Sequence, residues 1–261
     1  MVSSFPRGCR SRTARSRRID EVAPDLYRIC LYVPAFDLQF NHFLVRDDEP
    51  LLFHTGMRGM FPVVRDAVAT LIDPKDLRWI SWSHFEVDEC GALNEWLAVA
   101  PNATPVCGET GAMINIGDFS NRPPRGLKPD EVLETGRHRF RFVPTPHLPH
   151  GWDAGVLFEE TERVLLCSDL MHQLGDVEAV TTNDVVGRYR QAFETYQRSP
   201  VLMDYVPFTE NTTRQLAKLA ALQPRTLAAM HGSTFVGDGA AALIASGEVI
   251  RQVTGAAATT V

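Results

Sequence analysis

The stretch His84-Phe85-Glu86-Val87-Asp88-Glu89-Cys90-Gly91 decides how the chain folds around its chemistry. Three metal-ligating side chains, His84, Glu86 and Asp88, stand at alternate positions, and a further carboxylate, Glu89, follows at once. The apolar and aromatic run from Leu77 to Trp82 predicts a buried strand before them. Leu93, Trp96 and Leu97 predict a helix after them. The cluster therefore falls on a loop between a strand end and a helix start, where α/β folds place their chemistry. Four such groups on one loop could serve two metals rather than crowd one.

Further ligand types recur in the same context. His147 follows a predicted strand over 139–143, Asp169 follows one over 163–168, and His231 follows one over 226–230. If these strands lie side by side, their C-terminal ends form a rim that gathers His84, Glu86, Asp88, His147, Asp169 and His231. Six or seven nitrogen and oxygen donors exceed one tetrahedral zinc. They suit two metals roughly 3.5–4 Å apart with one bridging carboxylate, for which Asp169 is the natural residue. Taken singly, each has a plainer role: a hydrogen-bonded histidine at a strand end, or an aspartate capping a helix.

Other strands are expected at 25–33, 38–46, 51–54, 105–107 and 154–159. Helices are expected at 61–72, from the ligand loop to about residue 100, and at 109–116, 184–198, 210–222 and 238–252. The Gly-, Pro- and Arg-rich stretch 117–130 reads as a surface loop. Two strand-rich halves, each followed by helices, predict two mixed sheets packed face to face with helices outside.

Apolar residues make up 44% and charged residues 22% of the 261-residue chain, enough for a large core. The net charge is −6, yet residues 1–18 carry six arginines and no acid, so the body is more acidic than the whole. An acidic body argues against nucleic acid as a partner. No apolar run is long enough for a membrane span. Residues 1–20 are expected to be a basic, disordered tail, with one domain over 21–253. The five cysteines are scattered, odd in number and without a C-x-x-C pair, which fits a reducing, cytoplasmic setting.

The order and spacing of these ligands resemble the metallo-β-lactamase superfamily, whose usual loop is H-x-H-x-D-H. Glu86 in place of the second histidine is similar to the flavodiiron branch, with its H-x-E-x-D-H loop. His147-Leu148-Pro149 resembles that branch's H-W-P segment. The resemblance covers roughly residues 22–235. It implies an αββα sandwich and a non-haem diiron centre, with His84, Glu86 and His147 on one iron. The other iron would take Asp88, His231 and, as an uncertain ligand, Glu89, with Asp169 bridging.

The chain departs from that pattern twice. The sixth loop position is Glu89, not histidine. After residue 235 only about 26 residues remain, so a stand-alone member without the flavodoxin-like domain is expected, similar to the oxygen-binding diiron proteins associated with bacterial sensing. Glu89 either ligates or faces solvent in the first turn of the next helix, where an acid suits the dipole. Cys90 is either a substitute thiolate or a buried structural cysteine. His150 and His172 are neighbours of the site, and His172 would reach the second metal if its segment is helical. His54 stands where the superfamily usually has an aspartate and would hydrogen-bond a ligand. Trp82, Phe85 and Trp152 are expected to wall the pocket.

A carboxylate-rich set favours iron or manganese over zinc by ligand hardness, although affinity order favours zinc. The resemblance therefore implies two iron ions, with zinc or manganese as the alternative. The leading expectation is a protein that binds or activates dioxygen as sensor or carrier, with a signalling partner and a homodimeric assembly in view. Two alternatives stay open. One is an O2 or NO reductase fed by an external redox partner. The other is a dinuclear metal-dependent hydrolase, which Glu86 disfavours because added negative charge weakens the metal as a Lewis acid.

Overall fold

The computed structural model describes residues 17–258. It is built on two seven-stranded sheets. The first runs in chain order through β1 (Arg17–Ala23), β2 (Leu26–Val33), β3 (Leu38–Val45), β4 (Leu51–Phe53), β5 (Trp79–Ser81), β6 (Thr104–Gly108) and β7 (Arg125–Leu127). β1 to β4 are antiparallel and β4 to β7 parallel. The second comprises β8 (Val132–Glu134), β9 (Arg139–Pro144), β10 (Gly155–Glu159), β11 (Val164–Ser168), β12 (Val180–Thr181), β13 (Thr226–Ala229) and β14 (Thr234–Val236). Its spatial order is β12-β14-β13-β11-β10-β9-β8.

Strand alternation explains the layering. In β3, Phe43 and Val45 enter the layer between the sheets, where they join Phe53, Phe140, Phe142, Leu157 and Leu166. Leu44 turns to the opposite face and meets Val64 of α1 (Phe61–Val68) and Trp96 of the ligand-loop helices, α2 (Val87–Cys90) and α3 (Leu93–Val99). A run of turns over Glu109–Gly111 (α4), Ala112–Ile116 (π-helical) and Gly117–Phe119 (α5) completes that side. α6 (Val185–Gln197), α7 (Glu210–Ala221) and α8 (Gly239–Ala258) cover the second sheet through Tyr189, Phe193, Leu216, Leu219 and Leu243. With both faces covered, every residue of β3 and of β11 is buried. This is the metallo-β-lactamase αββα sandwich.

The first strand begins at Arg17, inside the stretch read as a disordered tail; residues 1–16 lie outside the described residues. β1 was hidden because its sequence, RRIDEVA, is polar: it is an edge strand, and no residue in it is fully buried. The stretch 117–130 contains α5 and β7 as well as loop. β7 and β12 are too short for any periodicity to show. Among the described residues no helix is long and apolar enough to cross a membrane. Cys30, Cys90, Cys107 and Cys167 are free and buried.

The two sheets are joined at one rim by polar bonds. The Asn41 side-chain amide donates to the carbonyls of Ala229 (2.9 Å) and Gly232 (2.8 Å), and Asn41 N–H donates to Met230 O at 2.9 Å. Gly155 N–H donates to Ser83 O at 3.0 Å. These bonds tie β3 to the end of β13, and the chain leaving β5 to the start of β10.

Candidate metal centre

β5 ends at Ser81, and the chain bends through Ser83, His84 and Phe85. Glu86 is extended (φ −139°, ψ 155°) and opens the single helical turn α2. The loop thus changes from extended to helical in mid-motif. That change places Asp88 beside His231, apart from His84 and Glu86.

His84, Glu86, His150 and Asp169 form one group of donors, all within 4.8 Å of one another. The Glu86 Oε2 atom lies 3.0 Å from His84 Nε2 and 2.7 Å from His150 Nε2. The two imidazole nitrogens are 2.7 Å apart. Donors about 2.1 Å from a shared ion stand roughly 3 Å from each other, so this spacing fits one coordination sphere. Asp169 Oδ2 lies 3.7 Å from both histidine nitrogens.

Asp169, His172 and His231 form a second group under the same 4.8 Å limit. Asp169 contributes its other oxygen here, with Oδ1 3.2 Å from His231 Nε2. Asp88 Oδ2 lies 3.5 Å from the same nitrogen. The two oxygens of Asp169 therefore face two different sets of donors, as a bridge between two ions requires. Asp88 Oδ1 is buried without a hydrogen-bond partner, and Asp169 Oδ1 has only the His231 imidazole at 3.2 Å. Buried carboxylate oxygens are rarely left so, and a cation between these groups would satisfy both. The residues present fit a dinuclear metal site.

Hydrogen bonds behind the candidate donors aim them. His231 Nδ1 donates to Gln39 O at 2.8 Å, which leaves Nε2 for the centre. His84 Nδ1 lies 3.3 Å from Ser83 Oγ and 3.7 Å from Glu89 Oε1, with Nε2 again facing inward. Gly151 packs on His84 so closely that a Cβ there would stand 2.6 Å from the His84 Cβ.

The electrostatics are those of an anionic hole. Burial opposes charge on His84, but Glu89, Glu86 and Asp169 outweigh it and lift the imidazole to about 10. His231 is likewise lifted to about 10 by Asp169 and Asp88 against its burial. Burial raises Glu86, yet His150 and His84 hold it down at about 2. Asp169 sits well below the carboxylate range for the same reason, through His231, His150 and His84. Without a metal, protons on the histidines balance the carboxylates; a metal can replace them.

His147 stands apart from these donors. It is exposed and belongs to neither donor group, and His150 stands where it was expected. The loop folds back on itself, with His147 N–H donating to Gly151 O and Leu148 N–H to Thr145 O. At φ 63°, His147 turns outward, and the next histidine is carried inward. Both residues were visible in His147-Leu148-Pro149-His150-Gly151.

Glu89 is not in either donor group. It does not meet solvent: it is fully buried, turned toward Ser83 and Ser168, accepting from Ser83 N–H (2.6 Å) and from the Ser168 hydroxyl. Burial, reinforced by Asp169, raises its carboxyl to about 7. His54 Nε2 lies 3.4 Å from Glu89 Oε1, so His54 touches the residue behind His84. Cys90 is a buried core residue whose thiol donates to Glu86 O at 3.4 Å; burial pushes its pKa above the thiol range. His172 lies in the site on a turn rather than a helix.

A cavity of about 350 Å³ opens on the centre, lined by Phe36, Phe40, Met57, Tyr196, Leu202 and Tyr205 around the donors. Trp82, Phe85 and Trp152 do not line it: Trp82 is in the helix-side core, and Phe85 packs on Phe119. The tyrosines come from α6 and the turn after it, where periodicity shows a helix but not which face meets the site.

Residues 38–232 match the ODP family beta lactamase, and the chain belongs to that family. It is similar to the rubredoxin-oxygen oxidoreductase of Megalodesulfovibrio gigas, with 25% identity over 201 residues, covering 76% of this chain and 49% of that protein. Flavo-diiron protein FprA2 of Clostridium acetobutylicum is 21% identical over 208 residues, covering 78% and 51%. The chain thus spans about half the length of these curated relatives. A variant of the flavo di-iron protein of Thermotoga maritima shares the fold at a TM-score of 0.78 and 19% identity, covering 92% of this chain and 62% of that one.

Proposed function

We propose that the chain holds two non-haem irons and binds dioxygen, as a sensor or carrier. The observation that carries this reading is the division of Asp169, with Oδ2 toward His84 and His150 and Oδ1 toward His231. One iron would be held by His84, Glu86 and His150, and the other by Asp88 and His231, with Asp169 between. Three of the six ligands, Glu86, Asp88 and Asp169, are carboxylates rather than the imidazoles of an all-histidine zinc site, and such a set is a harder one. The bound irons would supply electrons and open coordination positions.

The protein's own residues do the rest. Glu86 and Asp169 supply negative charge that favours the oxidised metal. Phe36, Phe40, Met57 and Leu202 give the diatomic molecule an apolar entrance. Tyr196 and Tyr205 keep their phenols protonated, because burial raises both above the usual range, and so present hydroxyl groups to the cavity. The relatives' names, one an oxygen oxidoreductase and one a flavo-diiron protein, support the iron and the small ligand.

A second reading, an O2 or NO reductase with a separate electron donor, is favoured by those same names. A rim of exposed apolar side chains, Phe36, Val87 and Leu202, surrounds the cavity mouth where a donor would approach. Anaerobic loading with Fe2+ and a pulse of O2 separates the readings. Two irons per chain and a visible band lasting minutes support oxygen binding. Sustained O2 or NO consumption with added rubredoxin or flavoprotein supports the reductase. Zinc that resists exchange, with ester hydrolysis lost in His84→Ala, would overturn both in favour of a hydrolase.

A further inference from the structure

Resting on the dinuclear reading, the second ion has three protein ligands: Asp88, Asp169 and His231. The loop position that would complete it is Glu89, which is turned inward to Ser83 and Ser168. A different residue stands at the gap. β11 ends in a tight reversal in which His172 N–H donates to Asp169 O at 3.2 Å and Met171 takes φ 64°. The reversal brings His172 back alongside Asp169. Gln173 N–H then donates to His231 O at 3.0 Å, fixing this turn to the end of β13. The His172 and His231 rings are consequently 4.7 Å apart.

His172 is 3% exposed, and its two ring nitrogens differ. Nε2 is 2.8 Å from the Tyr196 hydroxyl, whereas Nδ1 is buried with no hydrogen-bond partner. We infer that His172 is a terminal ligand of the second metal through Nδ1, and that Tyr196 positions it by accepting from Nε2–H. Metal-bound histidines commonly give their other N–H to such an acceptor, which sets the tautomer and the ring plane. With its oxygen so used, Tyr196 keeps its own O–H proton for the cavity it lines. The ligand not supplied by the loop of the first sheet is thus supplied by the second sheet.

The test is metal counting on the full chain, loaded anaerobically with Fe2+, beside thermal melting. His172→Gln keeps the volume and a donor for Tyr196 but is a poor ligand; His172→Ala is the second variant. We expect two irons in the unaltered protein, and one in each variant. Co2+-loaded protein gives a further readout: exchangeable, hyperfine-shifted imidazole N–H signals in proton NMR. One such signal should vanish in His172→Gln, and the same signal should exchange faster in Tyr196→Phe. Two irons held as tightly in both His172 variants, or N–H signals unmoved in Tyr196→Phe, would overturn the assignment. An unaltered protein that never holds a second metal would instead bring down the dinuclear reading, and this ligand with it.

Discussion

Glu89 and His54 meet at 3.4 Å beneath the donor cluster of His84, Glu86, His150 and Asp169, both side chains fully buried. The same Glu89 oxygen stands 3.7 Å from Nδ1 of His84. The carboxylate therefore supports His84 from behind while pairing with a histidine from β4's end. It also satisfies Ser83 N–H and the Ser168 hydroxyl.

Glu89→Ala leaves those two donors and Nε2 of His54 without a partner, while His54 Nδ1 keeps its bond to Asn41 O. Breaking a buried polar pair from one side costs about 3–5 kcal/mol, to be read by urea unfolding of the metal-free protein. Glu89→Gln, of the same shape, should lose far less stability and yet bind iron roughly 10- to 100-fold more weakly, because the support behind His84 is altered. A Glu89→Ala protein as stable as the unaltered one would refute this account.

His147 and His150 give a direct comparison. His150→Ala should remove iron from the first position, leaving at most one ion per chain. His147→Ala, at an exposed position, should keep both irons and change stability by no more than about 0.5 kcal/mol. The opposite pattern in metal analysis would restore the ligand expected from sequence spacing.

Gly151→Ala sets a Cβ at 2.6 Å from the Cβ of His84, an atom that no rotamer change can move. Either the 145–151 loop or the ligand bend must shift. The expected cost is about 1–3 kcal/mol, with weakened iron binding. A variant matching the unaltered protein in Tm and metal content would show that the loop yields freely.

Stability should depend on pH in a metal-dependent way. His84 and His231 have pKa values raised from 6.5 to about 10 in the metal-free fold. A raised pKa gives stability that is fully present below 6.5 and is lost as pH rises toward 10. Glu89, raised from 4.5 to about 7, acts with the same sign between those values. Tm of chelator-treated protein should therefore fall from pH 6 to pH 10. A bound metal replaces the histidine protons, so the Tm gained on loading should grow over the same range. A metal-free Tm that rises with pH would contradict the electrostatics described.

Much of the sandwich was legible because its strands and helices are long enough for period to show. β2, β3, β9, β10 and β11 are apolar or alternating runs bounded by turn residues, and α6 and α7 carry helical stripes. β1 is a polar edge strand and β12 has two residues, so neither has a pattern to read. Of the donors, His84, Glu86, Asp88, Asp169 and His231 were visible as ligand types at strand ends, since a strand that enters the core must emerge at a rim.

The amino-acid order alone determined that a strand-end rim would collect histidines and carboxylates, and that Glu86 makes the set anionic. The tertiary structure decided which side chains in the turns face inward. His147 or His150, Glu89 inward or outward, and His172 beside or away from His231 all depend on loop torsions. Those torsions are set by contacts with distant residues, such as Gly151 on His84, Ser168 on Glu89 and Gln173 on His231. Periodicity reports which face of a regular element is buried, but it carries no such information for a turn.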